Sequence, residues 1–159
     1  MNSDQLRTPV SNEIRMVRVF AATPEVIFKA WTDPEIMVEW MGPKGFRCVP
    51  DKLELRVGGA HRACLIAPDG ERHWVAGRYL EINPPSRLRF THHWEQSDGG
   101  ISPETIVTVD LVALGGSTEM TFHQGPFSSD ASRDGHTDGW NQTFERLAIL
   151  LKHQVEEGR

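Results

Sequence analysis

Only two cysteines occur in this chain of 159 residues, Cys48 and Cys64, and they do not form a CxxC pair. A thioredoxin-like redox motif and a cysteine-rich zinc site are thereby excluded, leaving two free thiols or one bond between adjacent strands. Long hydrophobic runs are also missing: no stretch reaches the roughly 20 apolar residues that a membrane-spanning helix needs. Met1 to Pro9 lacks the apolar segment of a secretory leader, so the cytoplasm is the expected compartment. Positive charge is scarce, with 17 Lys and Arg against 22 Asp and Glu for a formal charge of -5. That balance argues against a nucleic-acid partner, whose phosphates must be neutralised. The arginines at 56, 62, 72, 78, 87 and 89 are spaced as exposed strand positions. Internal repeats, low-complexity tails and composition shifts are absent, and one domain is expected over residues 10–157.

What the chain does hold is bulky apolar material, five Trp and seven Phe, enough for a continuous core. Ile14 to Phe20 reads as a first strand. Thr23-Pro24-Glu25 then supplies a polar cap, a first-turn proline and an acid at the positive end of a helix. Asp33 caps a second short helix with a stripe of Ile36, Met37 and Trp40, ended by Gly42-Pro43. From Phe46 the period changes to two: Phe46 to Val57, His61 to Ile66, Arg72 to Ile82, Arg87 to Trp94, Thr105 to Leu114 and Ser117 to His123 read as strands. Short turns rich in Gly, Pro and Asp separate them, which favours antiparallel pairing. Pro50 marks an edge or bulge. Pro126 to Gly135 reads as a loop, and His136 to Glu157 as a final helix on which Trp140, Phe144, Leu147 and Leu151, extended by Ala148 and Val155, form an apolar stripe. The expected fold class is α/β (α+β): a curved antiparallel sheet of about seven strands around a long C-terminal helix, with two short helices after the first strand.

Phe28-Lys29-Ala30-Trp31-Thr32-Asp33-Pro34-Glu35, followed by Glu39-Trp40-Met41-Gly42-Pro43-Lys44-Gly45-Phe46, resembles the N-terminal signature of the activator of Hsp90 ATPase homologue-like family, a branch of the START-like or SRPBCC helix-grip superfamily. Val57-Gly58-Gly59, Gly77 to Pro85 and Gly139-Trp140 extend the likeness over Ile14 to Val155. The resemblance implies a helix-grip fold and, from the wider superfamily, binding of lipids, polyketides or other apolar molecules, some members catalysing cyclisation or dehydration.

The chemistry-bearing residues are weighed against plain packing. His92 shares the parity of Leu88, Phe90 and Trp94 and faces the expected cavity, whereas His93 faces away. His61, His73 and His123 could approach His92, but no HExxH-type spacing exists and neither a metal nor a cofactor is expected. Asp51, Glu54, Glu81, Asp110 and Glu119 read as solvated, and the Gly58-Gly59 and Gly42 to Gly45 segments lack the rest of a phosphate loop. The candidate ligand contacts are Trp31, Trp40, Trp74, Trp94 and Trp140 with Phe90, Phe122 and Phe144 as aromatic walls, and Tyr79 and His92 as polar groups. Arg78 competes with Tyr79 for the inward position should a bulge intervene. The leading expectation is binding of a small hydrophobic or aromatic molecule in an internal cavity. One alternative is an enzyme acting on an apolar carbonyl substrate such as a polyketide, with His92 moving a proton and Tyr79 orienting an oxygen. The other is a protein-interaction or stress-related accessory role with Trp31 and Trp40 as anchors. A homodimer is compatible with the chain, although no surface for it is identified.

Overall fold

A computed structural model describes residues 12–156. Residues 10, 11 and 157 of the expected domain, and the side chain of Val155, lie outside the described set. The elements run β1 (Ile14–Phe20), α1 (Pro24–Thr32), α2 (Pro34–Met37), β2 (Arg47–Leu53), β3 (Ala60–Ile66), β4 (Arg72–Asn83), β5 (Arg87–Trp94), β6 (Thr105–Leu114), β7 (Ser117–Gly125) and α3 (Asp130–Glu156). The strands form one antiparallel sheet in the order β1-β7-β6-β5-β4-β3-β2. Only β1 leaves sequence order: it pairs with β7 at one edge, and the two short helices carry the chain to β2 at the other. This is the curved seven-stranded sheet around a long terminal helix that the periodicity predicts.

Local chemistry sets the boundaries. Thr23 Oγ1 accepts from Val26 N at 3.3 Å and opens α1 with Pro24 in its first turn. Asp33 Oδ1 accepts from Glu35 N at 2.9 Å and opens α2. α2 is shorter than its stripe suggests, since Trp40 lies in the turn that follows, fully buried, with Nε1 donating to the Ala30 carbonyl at 3.1 Å. β2 is an edge strand whose register shifts between Pro50 and Lys52, where a ring without an N–H interrupts the ladder.

Two expectations are corrected. The strand read as Phe46 to Val57 ends at Leu53, because Glu54 to Gly59 fold into a turn closed by Gly59 N donating to the Arg56 carbonyl at 2.8 Å, with Gly58 at φ +84°. Leu55 and Val57 are consequently exposed, and their two-residue period marks no sheet face. The segment read as a loop to Gly135 is the start of α3: Ser129 Oγ accepts from Ser132 N at 3.0 Å and caps the helix, and Asp130 suits its first turn. These turns carry no apolar stripe because they do not pack on the core. α3 therefore has 27 residues, about 40 Å.

The C-terminal half of α3 packs through Phe144, Leu147 and Leu151, each 1% exposed or less, in one core with Met16, Val107, Val109, Met120 and Phe122 of β1, β6 and β7. Each such side chain contributes about 1.5–3 kcal/mol. α1 adds Ile27, Phe28, Ala30 and Trp31 to the same core. Arg146, a helix residue without a carboxylate partner among the described residues, turns to the segment after α2: its Nη1 donates to the Gly42 carbonyl at 2.8 Å and lies 3.3 Å from those of Met41 and Pro43. It thereby fixes the segment against α3. Cys48 and Cys64 are free and buried, and burial pushes the Cys48 thiol up to about 11, away from thiolate chemistry. No described helix is long and apolar enough to cross a membrane.

Candidate functional site

The other half of the sheet is not filled. Between β2–β5, the segment from Met37 to Phe46 and the first turns of α3 lies a cavity of about 450 Å³. Its existence follows from side-chain size. Of the α3 positions that border it, Ala131, Gly135, Gly139 and Thr143 are small residues one helical turn apart on a single face, flanked by Ser132, His136 and Trp140. Ala63 supplies another short side chain from β3. Met37, Met41, Pro43, Phe46, Leu53, Leu65 and Val75 make the rest of the wall largely apolar, as expected of a site for a small apolar molecule.

Six of the ten candidate residues border this cavity: Trp31, Tyr79, Phe90, His92, Trp94 and Trp140. Three others stand behind it. Trp40 meets Trp31 edge to face at 5.0 Å, Phe122 lies 4.6 Å from Trp140, and Phe144 stacks on Trp140 at 5.4 Å, so these rings hold the wall from the core side. Trp31 joins the two groups, yet its Nε1 finds no acceptor among the described residues. Trp74 belongs to the opposite face of the sheet, five positions from Tyr79 and so of opposite parity. There the Arg62 guanidinium lies 3.9 Å above its ring while pairing with Glu95 at 2.7 and 2.8 Å. The bulge in β4 falls after Tyr79, between it and Glu81. Tyr79 keeps its inward position, and Arg78 turns out to donate to the Gly58 carbonyl.

The polar groups of the cavity lie at two places. At one, His61 packs against Tyr79 at 5.4 Å and Phe90 at 5.0 Å. Its ring has room because Gly77, its partner in register on β4, has no side chain: a Cβ there would sit 2.6 Å from His61 Nε2 and 1.8 Å from the Thr91 carbonyl oxygen. His61 Nε2 donates to that carbonyl at 2.9 Å, and burial lowers the pKa of the ring. Burial also pushes the Tyr79 phenol up to about 12, so it remains protonated.

At the other place, His92 is buried, and desolvation, helped by His136, His61 and His93, pushes it down to about 3. The ring is neutral near pH 7 and a weak base. Its Nδ1 lies 3.3 Å from Gln124 Nε2, which also donates to Thr105 Oγ1 at 2.9 Å, while Gln124 Oε1 accepts from Trp140 Nε1 at 2.8 Å. Trp94 Nε1 donates to His136 Nε2 at 2.9 Å and His136 Nδ1 to the Ser132 carbonyl at 2.7 Å, tying the end of β5 to α3. Gln124, Thr105 and His136 are absent from the candidates read in the sequence. Gln124 continues the alternation of Met120 and Phe122 one step past His123, where the strand is read to stop, and a polar residue continuing an apolar face was the available signal. Of the histidines thought able to approach His92, His123 instead faces Glu13 at 2.9 Å, whereas His73 borders the same cavity, against Phe46 at 6.2 Å and Trp94 at 6.4 Å. His93 is more covered than its outward parity suggests, 17% exposed. Among the described residues no three His, Cys, Asp or Glu side chains converge as metal ligands would.

A curved antiparallel sheet gripping a terminal helix around an apolar cavity defines a START-like, helix-grip protein. Residues 21–152 match the family described as Activator of Hsp90 ATPase homolog 1-like protein, and the chain belongs to that family. A crystal structure of a Chromobacterium violaceum protein is 32% identical, covering 88% of this chain and 96% of its own, with a TM-score of 0.81. Two others share the fold: the AHSA1 protein of Silicibacter pomeroyi, 24% identical over 89% of this chain and 99% of its own with a TM-score of 0.82, and an Arthrobacter aurescens protein, 23% identical over 92% and 90% with a TM-score of 0.82. No curated protein is significantly similar in sequence.

Proposed function

We propose that the protein binds a small, predominantly apolar, aromatic-compatible molecule in the cavity between β2–β5 and α3. The observation that carries this reading is the volume itself, about 450 Å³ walled by Trp31, Phe90, Trp94 and Trp140, within the range of small-molecule sites. A core built only for stability would close such a space, since unfilled apolar volume costs stability. The carbonyl-processing alternative is less favoured, because a histidine held near 3 is a poor proton acceptor at neutral pH. As interaction anchors, Trp31 and Trp40 are poorly suited, both being 3% exposed or less.

The test is a fluorescence titration with N-phenyl-1-naphthylamine, an uncharged apolar probe, against the full chain and Gly139→Leu. A Cβ at Gly139 meets only Pro43 Cγ, at 3.7 Å, and replacing glycine within a helix favours the helix by about 0.5–1 kcal/mol. The variant should therefore fold while its leucine occupies the cavity. Saturable binding by the wild type, weakened at least about ten-fold in the variant, is expected; no saturable binding by the folded wild type would overturn the reading.

A further inference from the structure

Resting on that binding reading, we infer that the cavity selects an uncharged molecule presenting a carbonyl-type oxygen to His92 Nε2–H, and that Gln124 is the positioning residue that makes His92 a donor. The chain of reasoning begins at Trp140, whose indole nitrogen can only donate. Its 2.8 Å bond to Gln124 fixes the oxygen of that amide on the Trp140 side and turns the NH₂ toward Thr105 and His92. Thr105 Oγ1 spends its own hydrogen on the His92 carbonyl at 3.2 Å, and so accepts from Gln124. The second amide hydrogen points at His92 Nδ1. A ring nitrogen facing an N–H carries a lone pair, which places the proton of this neutral imidazole on Nε2.

Among the described residues no hydrogen bond engages Nε2, and it is not one of the fully buried side-chain atoms without a partner, which are Trp31 Nε1 and His93 Nδ1. His92 borders the cavity and also a smaller one of about 40 Å³ that shares Trp94, Ser132 and His136 with it; we assign to the larger the donor without an acceptor. A bound molecule that supplies an oxygen completes it; a pure hydrocarbon leaves it unpaired in an apolar setting, which costs affinity. Charge on that oxygen is not provided for. The lysine and arginine bordering the cavity are Lys52, exposed, and Arg62, whose guanidinium is committed to Asp51, Glu95 and Trp74. Besides His92 the histidines there are His61 and His136, both hydrogen-bonded, and His73, which faces Glu71 at 3.5 Å. A carboxylate at His92 would be desolvated without a cation. Tyr79, diagonal to His92 across the β4–β5 pair at a side-chain spacing of about 7–8 Å, can donate or accept, so a second oxygen is tolerated there and not required.

The experiment compares fluorene with 9-fluorenone, the same three-ring frame with and without the carbonyl, by calorimetric titration of the full chain. The wild type is expected to bind fluorenone about ten-fold or more tightly than fluorene. His92→Phe should abolish the preference, bringing the two affinities to within about two-fold of each other. Gln124→Leu should reduce the preference. Long-range ¹H–¹⁵N correlation in the wild type should show the His92 proton on Nε2, and a tautomer mixture in Gln124→Leu. Equal wild-type affinities, a preference surviving in His92→Phe, or the proton on Nδ1 would overturn this inference alone. Fluorene-9-carboxylate binding as well as fluorenone would overturn the requirement for an uncharged ligand. Failure of the wild type to bind either neutral compound would overturn the binding reading, and the tautomer spectrum, which needs no variant, would still decide the Gln124 lock.

Discussion

Replacing Trp140 by Phe tests the Gln124 network through stability alone. Gln124 is fully buried, and its Oε1 depends on the Trp140 indole N–H at 2.8 Å. The substitution keeps an aromatic ring against Phe122 and Phe144 but leaves that oxygen without its donor, a loss of about 1–3 kcal/mol. The smaller ring adds little cavity penalty, because Trp140 already borders open volume on one side. Gln124→Leu removes the acceptor instead, strands the Trp140 N–H and should cost about the same. With both changes made, neither unpaired group remains. The double variant should therefore be more stable than the sum of the single losses implies, by about 1–2 kcal/mol. Urea unfolding followed by far-UV circular dichroism, which does not depend on the deleted tryptophan, measures all four corners of the cycle. Additivity to within about 0.5 kcal/mol would show that the two side chains are energetically independent and refute the reasoning.

Leu147→Ala, at a fully buried position of α3, should lower unfolding free energy by about 2–5 kcal/mol in urea; a loss under about 1 kcal/mol would contradict its core role. Truncation after Asp138 removes Trp140, Phe144, Leu147 and Leu151, exposing the apolar sheet face, and should abolish the cooperative transition in calorimetry. Gly77→Ala would drive a Cβ into the Thr91 carbonyl and the His61 ring, costing about 1–3 kcal/mol or more; unchanged stability would sink that packing account. His92 has its folded pKa depressed to about 3 from 6.5, so its contribution is fully present above pH 6.5 and is lost as pH falls toward 3, because the unfolded state binds the proton first. Between pH 7 and 5 the wild type should lose about 2 kcal/mol more than His92→Phe, and equal pH dependence in the two would show that His92 is not held neutral by the fold.

Elements whose apolar residues follow one clear period are legible in the chain. β5 and β6 begin and end where their alternation does, and the cap at Thr23 with Pro24 places α1. Errors gather where neighbouring chain, not periodicity, decides the conformation. Leu55 and Val57 keep the parity of Leu53 into a turn, and Ser129 to Gly135 form a helix without an apolar stripe because their inner side faces a cavity. The candidate site divides on the same principle. Parity assigns Phe90, His92 and Trp94 to one side of the sheet, but read from the sequence Trp74 is a cavity wall beside them, and the choice between Arg78 and Tyr79 waits on the place of the β4 bulge. Whether a ring facing inward, such as Phe122 or Trp31, stands behind the wall or on it depends on what α3 places opposite.

By itself, then, the order of residues determined the sequence of strands and helices, the face that β5, β6 and β7 turn to the helix and the family to which the chain belongs, since these depend on periods, caps and local motifs. The cavity, the pairing of Gln124 with Trp140 and His92, and the protonation of His92 were decided only by the tertiary structure. Each is a relation among β4, β5, β7 and α3: distances between side chains far apart in the chain, and the loss of water around them, have no counterpart in local sequence.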